Sequence, residues 1–406
     1  MPVAEAAVTG IGLVTPAGIG TGANWETVCA PKPAAALDAE LDGIPVRISC
    51  RVPDFDPAAL LGARRAHRLD RAAQFALVAA REAVADAGLD PDGWDGSRVG
   101  VVLGCGLGGI ATAEREHRVL REEGGQWVSP LLMTMFPAGT MAGQVAIECG
   151  ARGPNLMVST ACTSGTAAIG VARDLLALGR CDIVLAGATE APVTPLTVAG
   201  FAQMGALSRR HDDPAGASRP FDADRDGFVM GEGAGLLVLE RPEHARARGA
   251  RVRARIVGYG GTADAHHITA PHPEGQGIEA ALRAALADAD AAPDAVDHLN
   301  AHGTSTPLND LVEAKAVRRV LPGGPLVTST KGVTGHLLGA TGAVEAAYTV
   351  LAVEGGLVPP TANLGRLDPA IDLDIATAPV RRRIGLALTS SIGFGGQNTV
   401  LAVAAA

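Results

Sequence analysis

Short continuous apolar runs alternate with alanine-rich stretches along the whole chain. Runs at 99–103, 183–186, 236–239, 255–257, 326–329, 385–389 and 399–403 read as strands covered on both faces, because they are unbroken rather than alternating. Between them lie stretches of helical period. Ala73, Leu77, Ala80 and Val84 share one helical face, Asp70 is placed to cap that helix and Gly88 to stop it. The stretch 163–179 is apolar on most faces, as in Ala167, Ile169, Val171, Ala172, Leu175 and Leu176, so this helix belongs between layers. The pattern predicts an α/β protein with mostly buried strands. No Pro/Gly/Ser linker divides the chain, and no short repeat is visible. Two long stretches, 29–56 and 108–141, are of mixed loop character.

Composition narrows the class. The 406 residues are 47% hydrophobic but only 3% aromatic, enough for a large core. No apolar run reaches the ~18 residues a membrane span needs, and the start lacks a basic-then-apolar signal pattern. Six cysteines, Cys29, Cys50, Cys105, Cys149, Cys162 and Cys181, show no paired metal or disulfide spacing, which suits a reducing cytoplasm. A formal net charge of −9 disfavours nucleic acid as a partner. One local basic cluster stands out: Arg64, Arg65, His67, Arg68 and Arg71, just ahead of the first helix. It reads either as a solvated helix start or as a landing surface for an acidic partner.

Chemistry enters with Cys162, in Val158-Ser159-Thr160-Ala161-Cys162-Thr163-Ser164-Gly165, after a strand-like run and before the apolar helix. Unpaired N–H groups and the positive end of a helix favour thiolate over thiol. A buried free cysteine is more often inert, but two loop histidines shift the balance. His302 lies in Asn300-Ala301-His302-Gly303-Thr304-Ser305-Thr306, and His336 in Lys331-Gly332-Val333-Thr334-Gly335-His336-Leu337-Leu338-Gly339. One thiol and two imidazoles point to acyl transfer. His266 and His267 have no companions at metal-ligand spacing and read as structural.

These segments resemble the β-ketoacyl-acyl-carrier-protein synthases of the elongating, Cys-His-His kind. The likeness runs from Val8-Thr9-Gly10-Ile11-Gly12 through Phe221-Asp222-Ala223-Asp224-Arg225-Asp226-Gly227 to Gly393-Phe394-Gly395-Gly396. The resemblance implies a thiolase-like fold of five layers, α-β-α-β-α, built from two similar halves, 1–250 and 251–406. It implies that Cys162 carries the acyl group while His302 and His336 stabilise the enolate formed when a malonyl thioester loses CO2. Backbone N–H groups of Cys162 and Phe394 would form the oxyanion hole, with Phe394 a gate. Lys331 and Glu313 would be a supporting buried pair, and Thr269, Thr304 and Thr306 would hold a phosphopantetheine arm. Arg64, Arg65, Arg68 and Arg210 would dock an acyl carrier protein. Leu131, Leu132, Met133, Met135 and Phe136 would line the acyl pocket at a subunit interface. No metal or other cofactor is implied; the substrates arrive on phosphopantetheine.

The chain departs from the family pattern at Ile392, at Gly332-Val333, at Gln397 and at Thr341, which interrupts a usual Gly-Ala-Ala-Gly. None of these is expected to touch a reacting group. Together with the Ala/Gly/Arg bias they favour the ketosynthase subunit of a type II polyketide pathway, partnered by a chain-length-factor subunit. A homodimeric fatty-acid elongation synthase is the alternative. A non-catalytic carrier-binding subunit is disfavoured by the intact Cys162.

Overall fold

The computed structural model describes residues 5–406. Ten strands form the main path of one large sheet. In chain order they are β1 Ala6–Thr15, β2 Val99–Gly104, β3 Asn155–Val158, β4 Ile183–Glu190, β5 Gly233–Glu240, β6 Ala254–Ala263, β7 His298–Asn300, β8 Leu326–Thr328, β9 Leu386–Gly393 and β10 Gln397–Ala405. Their spatial order is β8-β7-β9-β10-β6-β1-β5-β4-β2-β3. Counted within each set of five, both halves read 3-2-4-5-1, so one topology occurs twice. The halves join where β1 pairs antiparallel with β6, from Ala6 opposite Ile256 to Val8 opposite Ala254.

Seven longer helices cover and fill this sheet: α1 Arg71–Asp86, α2 Ile110–Glu122, α3 Gly139–Glu148, α4 Ser164–Ala177, α5 Gln276–Asp288, α6 Pro307–Val320 and α7 Thr341–Gly355. α1 and α3 pack on the outer face of the first half, α5 on that of the second, with α6 against α5. α4 and α7 lie between the halves and touch strands of both. The result is the expected α-β-α-β-α layering. α4 buries ten of its fourteen residues, as a helix apolar on most faces must.

The first strand of each half carries a matching device. A side chain at Gly10 or Gly12 would run into the backbone of Ala83 or Ala79 in α1. A side chain at Gly258 or Gly260 would run into Ala285 or Ala281 in α5 in the same way. Each glycine pair lets an alanine-faced helix sit directly on the strand, which explains the Val8–Gly12 motif physically. All the predicted strands occur, and Asp70 caps α1 through the N–H of Ala72 as anticipated.

The loop reading of 108–141 does not hold. It contains the thirteen-residue helix α2, whose buried positions include Thr112 and Glu116. Glu116 accepts the N–H of Ser129, and Thr112 donates to Asp70 at 2.7 Å. Both buried positions of this helix are polar rather than apolar.

Candidate active site

The chain leaves β3 and turns through Ala161, held at φ 51 in the left-handed region. A non-glycine residue there costs about 1–3 kcal/mol and persists only under constraint. The constraint is local: Ser164 Oγ donates to Ala161 O at 2.6 Å, and Thr163 Oγ1 to Thr160 O at 2.6 Å. Cys162 is thereby placed two residues before α4, open to a cavity of about 430 Å3.

That cavity gathers most of the expected groups. His302, His336, Thr269, Thr304, Thr306 and Phe394 all line it beside Cys162. The two imidazole rings stand 5.3 Å apart, nearly perpendicular at 85°. Thr304 and Thr306 share a hydroxyl contact of 2.9 Å. His267 accepts the N–H groups of Thr269 and Ala270, each at 3.1 Å, and so shapes the Thr269 loop.

The glycine turn between β9 and β10 approaches from the other side. Gly393 lies so close that an added Cβ would stand 3.1 Å from Thr160 O and 3.2 Å from Cys162 N. The backbone N–H groups of Phe394 and of Cys162 itself both face the sulfur.

Electrostatics differ from the simple helix-end expectation. Burial pushes the Cys162 thiol up to about 12; Lys331 and the two N–H groups pull the other way without overcoming it, and Glu190 adds to the rise. Desolvation outweighs the favourable end of α4. Burial, then the charge of Lys331, holds both histidines well below their ordinary value, and His336 lowers His302 further. Both rings are therefore neutral at pH 7, each with one N–H to donate.

The ion pair needs correction. Lys331 is buried, but its partner is Glu345 on α7, at 2.5 Å, not Glu313. Its ammonium also donates to the carbonyl of His302 at 2.5 Å. Glu313 instead receives the N–H groups of His302 and Gly303, both at 2.8 Å, and the hydroxyl of Ser390. One carboxylate balances the lysine; the other fixes the histidine backbone. Glu345 was visible as the single charge in Ala343-Val344-Glu345-Ala346-Ala347.

Three further residues were missed. Phe201 and Phe228 link Phe394 to His336 in a chain of ring contacts, at 6.0, 5.5 and 5.2 Å. Glu190, fully buried at the end of β4, accepts the N–H groups of Gly106, Leu107 and Gly339. It ties the loop after β2 to the turn after His336. Two departures from the family pattern also lie closer to the chemistry than expected. Ile392 lines the cavity, and the Thr341 hydroxyl is 3.0 Å from His336 Nδ1.

The remaining candidates lie elsewhere. Arg64 and Arg68 are exposed, Arg65 is paired with Glu148, and Arg71 is engaged by Glu232 over the rings of Phe55 and Phe75. Arg210 is half-buried and donates to the carbonyl of Asp224 at 2.9 Å. Leu131, Leu132, Met133, Met135 and Phe136 are absent from the cavity wall. Met135 is buried against the Gly108–Gly109 turn, whereas Met133 is 68% exposed and Phe136 38%.

A thiol and two neutral imidazoles on one cavity, in a duplicated five-layer fold, define a thiolase-like acyltransferase. The profile of the β-ketoacyl synthase N-terminal domain matches residues 4–245, and that of the C-terminal domain residues 253–365. The chain belongs to the β-ketoacyl synthase family. It is 43% identical over 403 residues to a 3-oxoacyl-[acyl-carrier-protein] synthase 2 from Synechocystis, covering 97% of this chain and 96% of the relative. It is 44% identical over 402 residues to the protein of that name from Staphylococcus aureus, with 97% and 96% covered. Similar solved structures, each with 99% of both chains covered, include a ketosynthase bound to a hexaketide and in complex with its type II polyketide acyl-carrier protein, at 34% identity and TM-score 0.90. The ishigamide ketosynthase/chain length factor is similar at 33% identity and TM-score 0.92. No helix among the described residues is long and apolar enough to cross a membrane.

Proposed function

We propose that the chain condenses an acyl group held on Cys162 with malonyl-acyl-carrier-protein, releasing CO2 and giving a β-ketoacyl-carrier product. The observation that carries this reading is the meeting of Cys162, His302 and His336 on one cavity. Cys162 attacks the carbonyl of an incoming thioester, the oxyanion rests on the N–H groups of Cys162 and Phe394, and the pantetheine thiol leaves with the proton. Malonyl thioester then loses CO2. The enolate oxygen takes hydrogen bonds from His302 and His336, which are neutral donors and need no compensating anion. The enolate carbon attacks the acyl thioester, a carbon–carbon bond forms, and the Cys162 sulfur leaves as the thiolate, which takes a proton from water to return to the thiol. These steps balance without a metal or redox cofactor.

Thr269, Thr304 and Thr306 hold the phosphopantetheine arm in this reading, and Phe394 gates it. Arg64, Arg65, Arg68 and Arg210 receive the acidic carrier; the exposure of Arg64 and Arg68 supports the first contact there. Residues 1–250 form the half bearing the thiol and 251–406 the half bearing both histidines, a division supported by the repeated strand order. The exposed apolar side chains of Met133 and Phe136 support a dimer interface at 131–136, where the partner subunit closes the acyl pocket. We place the enzyme in the cytoplasm.

Within this chemistry we favour a type II polyketide ketosynthase acting beside a chain-length-factor subunit. Ile392, an aliphatic residue on the cavity wall where an aromatic is usual, supports it. The identities of 43% and 44% to fatty-acid-type synthases favour the second reading, a homodimeric elongation enzyme. Purification separates them: a stable two-fold dimer of this chain alone supports the second, and dependence on a related cysteine-free subunit the first. The mass of the acyl group trapped on Cys162, after incubation with carrier and malonyl donor, tests the chemistry; an unmodified Cys162 under turnover rejects it.

A further inference from the structure

Thr341 opens α7 and is 2% exposed; His336 is 3% exposed. Its hydroxyl lies 3.0 Å from His336 Nδ1 and has no other hydrogen-bond partner among the described residues. A neutral imidazole has one donor and one acceptor nitrogen, whereas a hydroxyl has one proton to give. If Nδ1 carried the proton and donated to Thr341, the hydroxyl proton would be buried with no acceptor. If the hydroxyl donates to Nδ1, both groups are satisfied, and the imidazole proton sits on Nε2. Nε2 has no protein partner and is not among the sealed buried polar atoms, so it opens to the cavity that His336 lines. His302 differs: its Nδ1 is buried with no partner, so no side chain sets its tautomer.

We propose that Thr341 is a positioning residue that holds His336 as the Nε2–H tautomer, its N–H presented to the cavity. The inference deepens the proposed function and rests on His336 donating to the enolate.

The test combines ring-15N NMR of histidine-labelled protein with decarboxylation of malonyl-carrier. His336 signals are assigned by their loss in His336→Ala. The wild type should show an acceptor-type Nδ1 and a protonated Nε2. Thr341→Val, nearly isosteric, should mix or reverse the tautomers and lower decarboxylation kcat about tenfold, the rate equivalent of one ordinary hydrogen bond, with KM within twofold. Thr341→Ser should restore both readings. Thr341→Ala serves if the valine variant does not fold. Unchanged tautomer signals in Thr341→Val or Thr341→Ala, or no recovery in Thr341→Ser, overturn the inference. His336→Ala separates it from the larger reading: undiminished decarboxylation there rejects the role of His336, while the NMR signals still judge Thr341.

Discussion

In the first half of the sheet the third strand, β3, leads through Cys162 into the buried helix α4. In the second half the third strand, β8, leads through Lys331 and His336 into the buried helix α7. The two routes are topological equivalents, and the turns ahead of both helices meet on one cavity through Cys162, His336 and Leu338. Their contents differ. The first half offers a nucleophile on a strained turn, with backbone donors around it. The second offers imidazoles kept neutral beside a buried ion pair, Lys331–Glu345. In the proposed function one duplicated device takes two tasks: holding an acyl group, and stabilising negative charge on its partner.

Breaking the ion pair should have the largest effect. Lys331→Met leaves Glu345 buried and unpaired, and removing one member of such a pair costs about 3–5 kcal/mol. Urea unfolding measures it; a loss below about 1 kcal/mol would mean that the pair is not held as described. His302→Ala and His336→Ala come next. Each removes one donor from a developing oxyanion, which costs on the order of a hundredfold in decarboxylation. Acylation of Cys162 should stay near wild type, and equal loss of both steps would contradict the division between halves.

The nucleophile side is sharpened by pH. Burial pushes the Cys162 thiol up, so the reactive thiolate fraction grows with pH throughout the neutral range. Iodoacetamide inactivation of the free enzyme should rise about tenfold per pH unit between roughly pH 7 and 9. A plateau near neutrality would show that the helix end wins over desolvation. The smallest effect is at the surface. Arg64→Glu with Arg68→Glu should raise KM for carrier-bound substrates a few-fold, less so in high salt, while sparing small thioester mimics. Equal impairment on both substrates would reject docking there.

Much of this was legible because buried strands are continuous apolar runs and α4 is apolar on most faces. Cys162, His302 and His336 stood out as reactive side chains in loops beside such elements. The duplication was not legible: in the first strands it survives chiefly as Gly10 and Gly12 against Gly258 and Gly260, meaningful only once α1 and α5 are seen lying on them. α2 was missed because its anchors are polar. The partner of Lys331 is not legible from the Glu313 segment, because Glu345 reaches the lysine from the next buried helix. Thr341 was read as a neutral departure, since a contact to a ring nitrogen five residues earlier needs the turn at Leu338–Ala340 to bring it round.

Whether thiol and imidazoles divide the reaction is decided by Cys162→Ala given malonyl-carrier and acyl-carrier together. CO2 release and chain extension are followed in the same reaction. CO2 release should continue through His302 and His336 with no extended product. Extension in this variant, or loss of CO2 release in a folded protein, would contradict it.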